Sequence, residues 1–404
     1  MRSTSAAFAV LLVVLVGCAA SASESSTGGE ADLEPVALLG KRLFEDPSLS
    51  EPAGQSCASC HDASRAFTGN AGAPIDAVAA GRRAGALGSR NVPTAMYASF
   101  SPAFAVVRET DESGKIAETP TGGQFWDGRA ASLVDQAKGP FLNPREMANP
   151  DKAAVVEKVK RAPYAALFRE VYGAGALDDV DAAYDKLASA LAAFEETDRF
   201  APFSSKFDAF LRGQAVLSEE EAWGFRLFKD PEKGNCIACH VGDEESRAPA
   251  DWLFTDFTFD ALGVPRNAKI PDNADPAHFD LGLCEQPGFA EHAPPGFDVS
   301  STCGAFKVPT LRNIERTAPY MHNGYFTDLR DVVRFYVTRD TSPELWYPRA
   351  PDGSIRKFDD LPEAHRKNVN VDEPPYDRKP GEAPRLDDAE IDAVVAFLKT
   401  LTDR

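Results

Sequence analysis

Two pentapeptides carry the most specific chemistry in this chain: Cys57-Ala58-Ser59-Cys60-His61 and Cys236-Ile237-Ala238-Cys239-His240. Two thiols three positions apart can each add to one vinyl group of the same porphyrin, and the histidine that follows meets the iron from that side. A dithiol redox pair has no use for the histidine, and a four-ligand zinc site would have to draw both motifs to one metal. Two complete copies therefore specify two covalently bound haem c groups. Haem 1 takes His61 as its first axial ligand and haem 2 takes His240.

What closes the far side of each iron decides what the protein can do. The histidines are His61, His240, His278, His292, His322 and His365, so none lies between the two motifs. An internal repeat allows the halves to be compared. Gly40-Lys41-Arg42-Leu43-Phe44-Glu45-Asp46-Pro47 and Gly224-Phe225-Arg226-Leu227-Phe228-Lys229-Asp230-Pro231 agree at six of eight positions, and Val92-Pro93-Thr94 returns as Val308-Pro309-Thr310. Aligning Trp126-Asp127-Gly128 with His322-Asn323-Gly324, an offset of 196, sets Pro140 against Tyr336. Proline offers no donor atom, whereas a tyrosine oxygen is a haem ligand that favours ferric iron. Haem 1 is expected to be open and haem 2 closed by Tyr336, with Met321 or His322 as alternative ligands. Met96 and Met147 are expected in the core.

Splitting a peroxide O–O bond at an open iron needs a group that moves a proton from the near to the far oxygen. In the stretch from Gln136 to Met147, Glu146 is the carboxylate chosen for this, with Gln136 as its hydrogen-bonding companion. The competing reading makes Glu146 a helix-start carboxylate after Asn143-Pro144.

The elements that must hold these groups read as helical, and the fold class is mainly α: two tandem class I cytochrome c-like haem domains with long loops. Ser218 with Glu221, and Asp387 with Glu390, form capping boxes ahead of apolar helical runs. Tyr184, Leu187, Leu191 and Phe194 recur at helical spacing in a segment expected to run between the halves. Strands are hard to find, and the Pro-rich stretches 264–299 and 342–385 read as haem-covering loops. The expected division is a peroxidatic haem domain over 33–205 and an electron-transfer haem domain over 206–404.

The 404 residues, 43% of them hydrophobic, supply core enough for two domains. A formal charge of -19 excludes nucleic acid as a general partner, while leaving a basic protein partner attractive. Residues 1–17 have the form of an export signal, and Leu15-Val16-Gly17-Cys18 resembles a lipobox, which would make Cys18 a lipidated first residue followed by a tether over 18–32. A plain signal peptide is the alternative. Either way the compartment is expected to be the periplasm, with membrane contact only through the anchor. Disulfides are permitted there, and Cys284 and Cys303 are expected to pair, a loop closure of about 3 kcal/mol.

With these residues in place, the chain resembles the bacterial dihaem cytochrome c peroxidase and MauG family. The matching segments are both haem motifs, Phe125-Trp126-Asp127-Gly128-Arg129-Ala130, the block from Gln136 to Met147, Val308-Pro309-Thr310-Leu311-Arg312-Asn313, and Thr317-Ala318-Pro319-Tyr320-Met321-His322-Asn323-Gly324. The resemblance implies that haem 1 is the peroxide site, haem 2 an electron-transfer haem and Trp126 a relay between them. It supports Glu146 and Gln136, and it implies a Ca2+ held by the Asn91 side chain and the carbonyls of Thr317 and Pro319. Ordinary peroxidases of the family carry a distal His on haem 1 and a Met on haem 2; the absence of the first and Tyr336 in place of the second are closer to the MauG-like members.

Two functions from different classes follow. One is an enzyme that reduces H2O2 at haem 1 with electrons from a small cytochrome c or cupredoxin, or from Trp or Tyr side chains of a protein substrate. The other is a non-enzymatic dihaem electron carrier, in which both irons are six-coordinate.

Overall fold

The computed structural model describes residues 30–69, 73–110 and 116–404. The export signal, Cys18 and the tether up to residue 29 lie outside the described residues. Residues 30–32, read as the end of the tether, instead form a turn fastened to the first helix, because the Glu30 carboxylate meets Lys41 at 2.8 Å and Arg42 at 2.6 Å.

The fold is mainly α, with two cytochrome c-like halves in tandem. The first half contains α1 (Pro35–Glu45), a hairpin of β1 (Ala105–Thr110) and β2 (Ile116–Thr121), then α2 (Leu133–Leu142), α3 (Lys152–Arg161), α4 (Ala165–Tyr172) and α5 (Val180–Glu195). The second contains α6 (Lys206–Leu211), α7 (Glu219–Lys229), α8 (Phe289–His292), α9 (Leu329–Thr338) and α10 (Asp388–Lys399), with β3 (Phe259–Asp260) antiparallel to β4 (Phe306–Lys307). The hairpin was not expected. Its register places Arg108 opposite Glu118, and this cross-strand ion pair supports strands whose short, charged sequence gives little strand signal.

Two apolar clusters dominate the interior. One gathers Leu39, Phe44, Phe141, Val156, Leu187 and Phe200; the other gathers Phe207, Phe228, Phe254, Phe335, Val394 and Phe397. Helix α5 therefore does not run between the halves as its sequence position suggested. Tyr184, Leu187, Leu191 and Phe194 face α1 and α2 inside the first cluster.

Both repeats use the same helix crossing, and glycine makes it possible. A Cβ on Gly40 of α1 would fall 1.9 Å from the Ala190 carbonyl oxygen of α5, and one on Gly224 of α7 would fall 1.8 Å from that of Ala393 in α10. Only a residue without a side chain lets the backbones meet this closely. The offset of 196 is equally visible in the backbone. Gln124 N–H donates to Ala130 O and Tyr320 N–H to Phe326 O, both at 2.7 Å, and Phe125 (φ 67°) and Met321 (φ 70°) share the left-handed conformation.

In the long loop between β3 and β4, Cys284 and Cys303 form a disulfide around the buried Leu283, Phe289 and Ala305. Among the described residues no helix is long and apolar enough to cross a membrane.

Candidate functional site

Each Cys-x-x-Cys-His motif folds as a single tight turn. His61 N–H donates to Cys57 O, and His240 N–H to Cys236 O, both at 2.9 Å, which brings two sulfurs and one imidazole together. None of the four cysteines is in a disulfide, and burial pushes their thiols up, Cys60 to about 11 and Cys239 to about 12. Half-buried, uncharged thiols outside any disulfide, beside a histidine, suit thioether attachment to a porphyrin. Among the described residues no group of three or more His, Cys, Asp or Glu is placed to hold a metal ion.

The histidines are prepared for iron. His61 Nδ1 lies 2.9 Å from Phe67 O and His240 Nδ1 lies 2.9 Å from Phe254 O. A donated Nδ1–H leaves the Nε2 lone pair free for a metal, and burial lowers both rings' proton affinity and so keeps them neutral. The repeated Val-Pro-Thr segments hold these carbonyls in place. Thr94 Oγ1 donates to Ala66 O (2.5 Å) and Thr310 Oγ1 to Leu253 O (2.6 Å), one residue before each acceptor. In return, Thr68 Oγ1 donates to Val92 O and Thr255 Oγ1 to Val308 O.

Beside His61 is a cavity of about 60 Å3 whose wall includes Gln136, Pro140 and Glu146. Gln136 and Pro140 are one turn apart on α2 and face the same way. Ser132 Oγ caps that helix by accepting from Asp135 N–H at 3.1 Å, which fixes its start relative to the cavity. Glu146 is not a helix-start carboxylate, because α3 begins at Lys152 and is capped by Asp151. Its Oε1 accepts from Asn143 Nδ2 at 2.6 Å. Burial raises its proton affinity, while Asn143 and the positive charge of Arg129 oppose the rise.

Beside His240 is a cavity of about 280 Å3, bounded by Tyr336 and reaching Trp126, Asn91, Thr317, Pro319 and Met321. Burial, and then Cys239 and Asp260, push the Tyr336 phenol up. The alternative ligand His322 stacks on Phe306 at 3.6 Å and sets Nε2 3.7 Å from Asp360. Trp126 Nε1 donates to Asn91 O at 2.9 Å, so the indole is held to the segment that precedes Val92-Pro93-Thr94 in its own half. Asn91 Nδ2 donates to Pro319 O at 2.6 Å, whereas the buried Asn91 Oδ1 has no partner. An unsatisfied buried amide oxygen beside backbone carbonyls suits a hard cation. Met96 is buried and receives Asn313 Nδ2 on its sulfur; Met147 is buried in the first cluster and also forms part of the wall by His61.

Two groups on the smaller cavity escaped the sequence reading. Gln55 donates through Nε2 to Ala80 O at 2.8 Å and leaves a buried Oε1 without a partner. Glu195 ends α5, and burial pushes its carboxyl up to about 8. Its signal was present: it lies four positions after Leu191 on an otherwise apolar stripe.

Residues 34–216 match the di-haem cytochrome c peroxidase family profile. Over 97% of its length the chain is 40% identical to the methylamine utilization protein MauG of Paracoccus denitrificans, spanning 94% of that protein. It is 31% identical to the cytochrome c551 peroxidase of Nitrosomonas europaea over 80% of this chain and 83% of the relative. The crystal structure of the diheme peroxidase BthA from Burkholderia thailandensis superimposes with a TM-score of 0.82 at 40% identity, covering 94% of this chain and 89% of that one. The chain belongs to the di-haem cytochrome c peroxidase and MauG family, and is a peroxidase-type oxidoreductase that carries two haem c groups.

Proposed function

We propose that peroxide is reduced on the His61 side, at a haem left open by Pro140, and that electrons arrive through Trp126 from a haem closed by Tyr336. The observation that carries the reading is the asymmetry of the two cavities: at the same helical position one presents a proline and the other a phenol. The boundary between the peroxidatic and electron-transfer domains falls near residue 205, a reading supported by the change of apolar cluster between Phe200 and Phe207.

When bound, the two haems supply the iron at which peroxide is split and a store for the electrons. The remaining work is done by the chain. Glu146 takes the proton of the near peroxide oxygen on its carboxylate and returns it to the far oxygen, which leaves as water. Asn143 fixes the orientation of that carboxylate through Oε1, and Gln136 holds the peroxide by hydrogen bonding. Pro140 offers no donor atom at the helical position where the other half carries Tyr336. Trp126, held by Asn91 O, carries electrons between the halves. Asn91, Thr317 and Pro319 would hold a Ca2+, which when bound would tie those halves together.

The electrons come from Trp or Tyr side chains of a protein substrate, with a small cytochrome c or cupredoxin as the alternative donor. The identity to MauG over nearly the whole chain, together with Tyr336, supports the first. The setting is the periplasm, with Cys18 as a lipid anchor. Mixing the holoprotein with H2O2, first alone and then with a reduced small cytochrome, tests the reading. A long-lived oxidised state that the cytochrome does not discharge supports protein oxidation; rapid steady turnover assigns the cytochrome as donor.

A further inference from the structure

Lys307 occupies in the second half the position that Asn91 occupies in the first, since each immediately precedes its Val-Pro-Thr segment. The backbone repeats this relation. Asn91 N–H donates to His322 O at 2.7 Å and Lys307 N–H donates to Trp126 O at 2.8 Å, and 126 and 322 are themselves equivalent positions. The side chains repeat it again. Asn91 reaches Pro319 O, and Lys307 Nζ donates to Gly123 O, which stands where Pro319 stands at the offset of 196. The segments Thr121-Gly122-Gly123 and Thr317-Ala318-Pro319 both present a threonine two residues earlier.

One half of the repeat thus has a carbonyl-lined position with an unsatisfied amide oxygen, and the other half has the same position filled by an ammonium. We propose that Lys307 is a built-in cation that takes the place of a second divalent ion and fixes the loop bearing Trp126, making it a positioning residue for electron transfer between the haems. The inference rests on the Ca2+ and Trp126 readings above. Lys307 is half-buried, with Ser101 Oγ at 3.3 Å as a second acceptor, and Asp127 opposes the burial that draws its ammonium down to about 8. A partly desolvated ammonium in such a place needs a structural return, and the loop it holds is the one that delivers the indole.

The test uses the holoprotein, with calcium content and the rate of electron equilibration between the haems as readouts. Lys307→Met is expected to slow equilibration at least tenfold while both haem spectra and one calcium per chain are retained. Lys307→Arg, which keeps the charge, is expected within threefold of the wild-type rate. Lys307→Asn, which copies Asn91, is expected to bind a second calcium in millimolar CaCl2 and regain speed as it does so. A Lys307→Met variant at wild-type speed, a Lys307→Arg variant as slow as Lys307→Met, or a Lys307→Asn variant that stays at one calcium would each overturn the proposal. Trp126→Phe separates the underlying reading: if it leaves the rate unchanged, the relay itself fails, whereas a slow Trp126→Phe beside a fast Lys307→Met condemns Lys307 alone. Wild-type protein without calcium would remove the Ca2+ reading by itself.

Discussion

Pro140 and Tyr336 are the eighth residues of two equivalent ten-residue helices, and each lines the cavity beside one Cys-x-x-Cys-His motif. One helix frame therefore places a phenol oxygen beside one haem motif and no donor atom at the equivalent position beside the other, and the proposed function makes that oxygen the ligand of haem 2. Replacing Tyr336 by Phe keeps the ring and deletes the oxygen. The absorption and EPR features of haem 2 are expected to change, with those of haem 1 preserved. An unaltered haem 2 would return the ligand to Met321 or His322.

Glu146→Gln keeps the contact with Asn143 available but cannot accept a proton. Loss of a positioned acid–base group costs roughly 10²- to 10⁴-fold. Stopped-flow mixing with H2O2 is expected to show a slowing within that range, with both haem spectra intact; unchanged kinetics would remove Glu146 from proton transfer.

Burial raises the Glu195 carboxyl from an ordinary 4.5 to about 8, so the folded protein holds this proton over a window in which the unfolded chain has released it. Stability contributed by the neutral group is present below about pH 4.5 and is lost as pH rises towards 8, with a slope of at most about 1.4 kcal/mol per pH unit. Denaturant midpoints of wild type and Glu195→Gln, measured between pH 5 and 8, check this. The wild type is expected to weaken relative to the variant across the window, and parallel curves would contradict the assignment.

In an exposed helix, Gly→Ala would stabilise by about 1 kcal/mol. At Gly40 and Gly224 the new Cβ would strike the Ala190 and Ala393 carbonyls, and overpacking costs about 1–3 kcal/mol. Both Ala variants are expected to lower the denaturant midpoint; a rise in either would show that the crossing opens without penalty.

Much of this molecule is legible in its sequence because the repeat allows each half to interpret the other. Pro140 against Tyr336 needs only alignment, and the disulfide of Cys284 with Cys303 needs only the leftover cysteines. What escaped depends on packing between distant segments. Helix α5 has a clear apolar stripe, yet a stripe does not say which partner covers it, so its place against α1 was missed. The β1–β2 hairpin rests on cross-strand pairing that its short charged strands scarcely announce. The positions of Gln55 and Lys307 are set by the wall around each and by carbonyl acceptors distant in sequence, which residue spacing does not encode.

The central claim is that the two irons differ in coordination at rest, and EPR of the untreated ferric holoprotein tests it most directly. The account predicts one high-spin signal from the His61 haem together with one low-spin signal from the haem shared by His240 and Tyr336. Two low-spin signals with no high-spin component would contradict it.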